Sequence, residues 1–382
     1  MIGVPHNGVV LARALFVSLP VLSWHERRNE ESNSMRLEQP AAARLDWVDV
    51  AKGVCIILVV LMHATLGVEK ATGQSLSLNH FVDWARPFRM PDFFLISGLF
   101  LAARIDRPWR SYLDTKVVHF AYFYVLWLTI QFALKAPGMV AEHGAVATFE
   151  DYVVSFFVPF GTLWFIYLLA VFFVVSKLLR PVPHWLVLSG AALLHMVAPH
   201  SGVFILDEFT SRFVFFYSGY ALAPTIFAFA DRVRVTPGML LVAALVAWAA
   251  FNTAGVVSGL AFAAGADLLF SYVGIAAVIA FSVLVTTSWF GRALAYCGEH
   301  SIAVYLAFTV FMGPARIVLL KLTGGEHATA IALASTFAGI AGALLLAWMV
   351  KGTWAGFLFA RPERFRLASA REASGSRVPA SA

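Results

Sequence analysis

Residues 47–63 read WVDVAKGVCIILVVLMH, and this stretch decides the fold. From Val54 to Met62 every residue is apolar, and the run continues far enough to predict a membrane-crossing helix over about 47–68. Three residues in it do nothing for bilayer insertion: Asp49, Lys52 and His63. An ionisable group at the bilayer centre costs roughly 2.5–3.5 kcal/mol, so such groups are functional candidates. Lys52 and His63 are eleven residues apart. At about 100° per residue, eleven steps return to within about 20° of the starting direction, some 16 Å along the axis. Asp49 lies one turn before Lys52, near the same stripe. One face thus has a charged foot and an imidazole deeper in.

The rest of the chain repeats the apolar theme. Of 382 residues, 60% are hydrophobic and 13% are charged, whereas soluble domains carry about 25% charged residues. The fold class expected is an all-α membrane protein, a polytopic bundle of about ten transmembrane helices. They fall at about 47–68, 88–104, 117–135, 161–180, 185–199, 209–229, 238–254, 266–287, 300–321 and 328–350. Segment 255–265 extends a neighbouring helix or forms a re-entrant piece, and its Gly255-x-x-x-Gly259 spacing suits close helix packing. Basic residues concentrate in alternate connections, notably Arg104, Arg107, Arg110 and Lys116, then Lys177 and Arg180, then Arg232 and Arg234, and the tail from Lys351. The positive-inside rule therefore puts both termini in the cytoplasm. The basic pI of about 9.4 is accounted for by this orientation signal and implies no nucleic-acid partner. Cys55 and Cys297 provide neither a disulfide framework nor metal spacing.

Three regions are expected: an N-terminal extension, disordered or over-called, at 1–34; a transmembrane domain at 35–353; and a basic, partly disordered cytoplasmic tail at 354–382. Met35, after the polar HERRNEESNS, is a candidate start. The small, polar last dozen residues, REASGSRVPASA, are expected to be disordered.

The second helix strengthens the functional reading. It carries Arg86, Arg89 and Asp92, then FFLISGLF with Ser97 and Gly98, which allow a close approach of backbone or ligand. An N-terminal helix beginning Asp-x-x-[Arg/Lys]-Gly and ending in His, followed by Met-Pro-x-Phe-Phe-x-x-Ser-Gly, resembles the acyltransferase 3 family of integral membrane acyltransferases. Lys116 with its aromatic run, TLWFIYLL around Trp164, RFVFFYSGYALAP from Arg212 and GEHSIAVYLAF from Gly298 extend the resemblance in order over about 47–350. It is nearest to small bacterial inner-membrane members of unassigned substrate.

That resemblance implies transfer of an acyl group, usually acetyl from acetyl-CoA, to a hydroxyl of an envelope carbohydrate or a related small-molecule acceptor. The donor is a co-substrate, and no permanently bound cofactor or metal is implied. His63 matches the family's catalytic histidine. The family's usual arginine eleven residues earlier is Lys52 here, which keeps the charge and loses the bidentate fork. The second family histidine, ending Tyr-Leu-x-His, is replaced by Phe308.

The residues suggest a division of labour. Lys52, Asp49, Arg104, Arg107, Arg110 and Lys116 would receive the donor's phosphates. His63 would act as general base, oriented by Asp92 or Glu299. Arg86, Arg89, Asp92, Trp164 and Arg212 would hold the acceptor, with Ser97, Gly98, Glu299 and His300 in support. Against this stand plainer readings: the basic cluster as topology signal, Arg212 and Arg316 as snorkelled cations, His119 and His195 as packed residues. Two other function classes share the features, a transporter or flippase with an Asp/Lys/His relay, and a non-catalytic scaffold or sensor.

Overall fold

A computed structural model describes residues 24–197 and 201–367, with side chains from residue 46 onward. The expected disordered end at 371–382 and most of the N-terminal extension lie outside the described residues. The chain divides into two compact units, Met1–Leu45 and Asp46–Ala382. The first contributes helix from Trp24; the second is the bundle described below.

Each stretch expected to be helical contains a helix, although the second helix stops at Gly98, short of the expected end at 104. Helix α1 (Trp24–Thr72) enters the bundle at Asp46, followed by α2 (Leu78–Gly98), α3 (Trp109–Leu113), α4 (His119–His143), α5 (Ala145–Val154), α6 (Trp164–Leu178) and α7 (His184–Val197). Then come α8 (Phe204–Ala221), α9 (Ala223–Val235), α10 (Gly238–Val257), α11 (Ala266–Val285), α12 (Trp289–Glu299), α13 (Ser301–Thr323) and α14 (Ala328–Val350). In hydrocarbon the backbone must satisfy its own hydrogen bonds, and apolar runs of this length do so as helices.

The number of apolar spans differs from the expected ten. Among the described residues seven helices are long and apolar enough to cross a membrane, or eight if the bent pair α8–α9 counts as one span. Three expected spans account for the difference. Helix α2 carries Asp83, Arg86, Arg89 and Asp92, α7 has only 14 residues, and the expected 209–229 helix breaks at Leu222 with a 74° bend. Pro224, in the first turn of α9, lacks the N–H that a continuous helix would need, so the chain restarts there. The 255–265 segment is a turn: α10 ends at Val257, and Gly259 adopts φ 78° before the short 3-10 turn Leu260–Phe262. Of the two glycines in its spacing motif, only Gly255 packs closely, against the Phe270 ring.

Two glycine pairs set the depth of the core. A β-carbon on Gly98 would meet the carbonyl oxygen of Phe216, and one on Gly219 would meet that of Leu95, so α2 and α8 touch backbone to backbone. Gly53 and Gly298 do the same for α1 and α12, against Leu294 and Asp49. Helix α2 stays helical through Pro87 and Pro91. Pro91 has no N–H for the Pro87 carbonyl, and Ser271 of α11 supplies the missing donor at 2.6 Å.

The tail beyond α14 is partly ordered. Tyr122 donates to Phe357 O at 2.9 Å, and Trp127 Nε1 donates to Leu358 O at 2.9 Å. Arg361 closes on the buried Asp114 through Nη2 at 2.8 Å to Oδ2 and Nη1 at 2.9 Å to its carbonyl. The tail through Leu367 is therefore fastened to the α3–α4 region.

Candidate active site

The stripe on α1 survives as geometry. Lys52 Nζ donates to Asp49 Oδ1 at 2.9 Å, both side chains about one-third exposed. Lys52 also lines a cavity of about 290 Å³. Lys116, Ser97 and Glu299 share that cavity, and its apolar wall includes Phe93, Phe165, Leu169, Phe173 and Tyr305. Four expected site residues from four parts of the chain thus converge. Lys116 lies over the Phe173 ring at 4.4 Å, a cation held against an aromatic face. Ser97 spends its hydroxyl on Phe93 O at 2.8 Å, so it lines the cavity without offering that proton.

His63 does not line this cavity. Its half-buried ring sits 5.5 Å from the Phe308 ring, centroid to centroid. Phe308 occupies the position of the missing second histidine, so the replacement falls against the imidazole itself. Tyr305 in the cavity wall is one turn before Phe308, and Phe93 is one turn from Arg89 on α2. The cavity wall thus comes within one helical turn, along α13, of the ring that packs His63. Arg89 donates to Met62 Sδ at 3.3 Å, which places its guanidinium beside the residue preceding His63.

Several expected roles are redistributed. Asp92 does not orient His63: it is fully buried, and its Oδ2 accepts from Cys55 Sγ at 2.7 Å. Nor does Glu299, which belongs to the cavity foot near Lys52. Among the described residues His63 has no hydrogen-bond partner, so neither acid holds its ring. Asp92, expected at the acceptor end, instead meets Cys55 between α1 and α2. Arg104 and Arg107 in the α2–α3 connection and Arg110 in α3 are exposed and do not line the cavity, although the charges of Arg104 and Arg107 act on Lys116. That connection is clipped by Lys177, which donates to Ile105 O at 2.5 Å and Arg107 O at 2.8 Å.

The remaining residues are placed as follows. Arg86 is exposed over the Phe262 ring at 4.9 Å. Arg212 pairs with Glu208 at 3.1 Å, and its charge reaches Arg89. Trp164 packs edge-on against Phe204 at 6.2 Å and tilted against Phe94 at 6.1 Å, so its ring faces neighbours rather than an open platform. Gly98 acts through the α2–α8 contact. His300 directs Nδ1 to Tyr296 O at 3.0 Å, at the break between α12 and α13, and is absent from the cavity lining. His195 is locked between Ser211 O at 2.9 Å and Asp267 at 2.7 Å, a structural tie among α7, α8 and α11. Among the described residues no three His, Cys, Asp or Glu side chains are grouped to hold a metal ion.

Sequence reasoning missed Tyr305, Phe308 as the neighbour of His63, and Cys55 as the partner of Asp92. The Cys55–Asp92 contact had no signal in a single sequence, since the two residues belong to different helices whose rotation hydropathy does not specify.

Comparison with known proteins adds two matches. A family model described as "Acyltransferase domain" matches residues 45–350. The inner membrane protein YcfT of Escherichia coli (strain K12) is 30% identical over 155 residues, 35% of this chain and 43% of that protein. The chain thus spans less than half of that relative's length. No solved structure matches.

Proposed function

This chain belongs to the acyltransferase 3 family, and from that premise we propose that it is an inner-membrane O-acyltransferase that uses acyl-CoA, with acetyl as the group carried and an envelope carbohydrate or related hydroxyl compound as acceptor. One observation supports the reading above the others: Lys52, Lys116 and Glu299 share a cavity whose wall includes Tyr305, one turn before the Phe308 ring that packs His63. On this reading α2, α7 and α8 cross the membrane beside the seven apolar spans, and the positive-inside bias puts both termini in the cytoplasm. The Lys52 end then faces the donor pool.

In this reading Lys52 and Lys116 neutralise donor phosphates, while the pantetheine arm follows the cavity wall past Phe93 and Tyr305. The acceptor oxygen attacks the thioester carbonyl as the His63 imidazole takes its proton. The C–S bond breaks, and the departing thiolate recovers that proton as free CoA. Phe308 packs the imidazole where no carboxylate does.

The test is release of free CoA from acetyl-CoA by the full chain in nanodiscs, with envelope extract as acceptor source. His63→Ala that folds normally should lose about 10²–10⁴-fold of the rate. Full activity in that variant removes His63 from the mechanism. No CoA release by the wild-type protein under any acceptor supply rejects the enzyme reading and returns the transporter alternative. Mass spectrometry of envelope glycans and lipids from a deletion strain then identifies the acceptor by its missing acyl mass.

A further inference from the structure

Arg89 is a buried cation without a proper partner. Only 6% of it is exposed. Its Nη2 faces a thioether sulfur at 3.3 Å and its Nη1 a carbonyl at 3.4 Å, both weak acceptor contacts. Its Nε is buried with no hydrogen-bond partner, and among the described residues it forms no ion pair. The nearest acid along α2, Asp92, is engaged by Cys55 instead.

The neighbourhood adds positive charge. Arg86 and Arg212 both act on Arg89 electrostatically, and Asp83 offsets them only in part. Beyond His63 by one turn, Gly67 lets the Arg316 guanidinium lie directly on α1, and Arg316 Nε is likewise buried with no partner. Arg89 thus lies against the residue before His63, and Arg316 packs on α1 one turn beyond it. Buried cations are found paired with anions because the lone charge is costly in low dielectric. Arginine's planar fork matches an oxyanion bidentately.

We propose that Arg89, with the charge of Arg212 acting on it, binds a phosphate group carried by the acceptor. The multiple positive charges favour a dianion over a single carboxylate. This deepens the acyltransferase reading and rests on it for the acceptor role: the hydroxyl presented to His63 belongs to a phosphate-bearing compound. The donor's own phosphates are served separately, in the cavity lined by Lys52 and Lys116, which Arg89 does not line.

The experiment uses the full chain in phosphatidylcholine nanodiscs and reads the midpoint of thermal unfolding. Inorganic phosphate, against chloride at equal ionic strength, should raise the midpoint saturably. The shift should disappear in Arg89→Gln, shrink in Arg89→Lys and Arg212→Gln, and persist in His63→Ala and in the surface control Arg232→Gln. Arg89→Lys and Arg212→Gln carry the test if Arg89→Gln fails to fold. A membrane-anchored phosphate source is supported if phosphatidylglycerol in the nanodisc competes with inorganic phosphate, and a soluble one if glucose 1-phosphate competes instead. The proposal is overturned by the absence of a phosphate-specific shift in the wild type, or by a shift indifferent to all three arginine variants. It is also overturned if adenosine 3′,5′-bisphosphate, standing for the donor's nucleotide, stabilises through Arg89. Loss of CoA release with an intact Arg89-dependent shift would sink the enzyme reading alone.

Discussion

The thiol of Cys55 donates to Oδ2 of Asp92 at 2.7 Å, joining α1 to α2 where neither residue reaches solvent. The second carboxyl oxygen, Oδ1, is buried with no partner of its own. Among the described residues the thiol is therefore the one side-chain hydrogen bond to this carboxyl group. Cys55→Ala should lower stability by about 1–3 kcal/mol, the cost of stranding a buried polar group. Cys55→Ser should restore most of it. Thermal unfolding in detergent measures both, and an unchanged midpoint in Cys55→Ala would show that the contact contributes nothing.

Lys52 and Lys116 stand together at the cavity foot. Lys116→Ala is expected to raise KM for acyl-CoA about tenfold, equivalent to about 1.4 kcal/mol, with a smaller effect on kcat. Lys52→Arg should preserve or improve donor use, because the fork binds phosphate better than a point charge. Steady-state kinetics at varied acyl-CoA decides this, and a KM unmoved by either alanine variant removes the pair from the donor path.

Gly98 and Gly219 make reciprocal contacts with backbone carbonyls across the α2–α8 interface. Neither carbonyl belongs to a flexible side chain, so a methyl group must push helices apart. Gly98→Ala should cost about 1–3 kcal/mol and reduce activity by displacing the cavity wall on α2. Expression and melting of the variant, compared with Gly138→Ala, whose β-carbon position is open, give the measurement.

Arg361 and Asp114 form an ion pair with side chains 7% and 3% exposed. Removing one partner of a buried pair costs about 3–5 kcal/mol. Arg361→Ala should free the tail segment that also anchors on Tyr122 and Trp127. Limited proteolysis between residues 351 and 367 should accelerate sharply, and cleavage at the wild-type rate would contradict the latch.

Much of the fold was legible because long apolar runs admit one backbone solution in lipid. The break at Leu222 was also written in the chain, as Pro224, although hydropathy alone ran through it. The count of apolar spans was harder, because α2 carries four charged residues whose burial depends on neighbours. Of the site, the Lys52–His63 stripe followed from helical periodicity on one element. Ser97, Lys116 and Glu299 were named from motifs, but their sharing of one cavity was not derivable. The place of Asp92 on α2 gave its depth without its direction, so its contact with Cys55 was not foreseeable. The Phe308 substitution was visible, yet its contact with His63 was not.

The sequence by itself determined that the chain crosses a membrane as helices, and that Asp49, Lys52 and His63 lie along one face of the first. Period and length suffice for that, since both are properties of a single helix. The tertiary structure alone decided that Asp92 meets Cys55, that Phe308 rather than an acid packs His63, and that Arg89 is buried without a carboxylate. In a bilayer the lipid-facing and core-facing sides of a helix are equally apolar, so hydropathy carries no record of helix rotation. That rotation is set by close contacts such as Gly98 on Phe216 and Gly219 on Leu95, which exist only once the helices are packed.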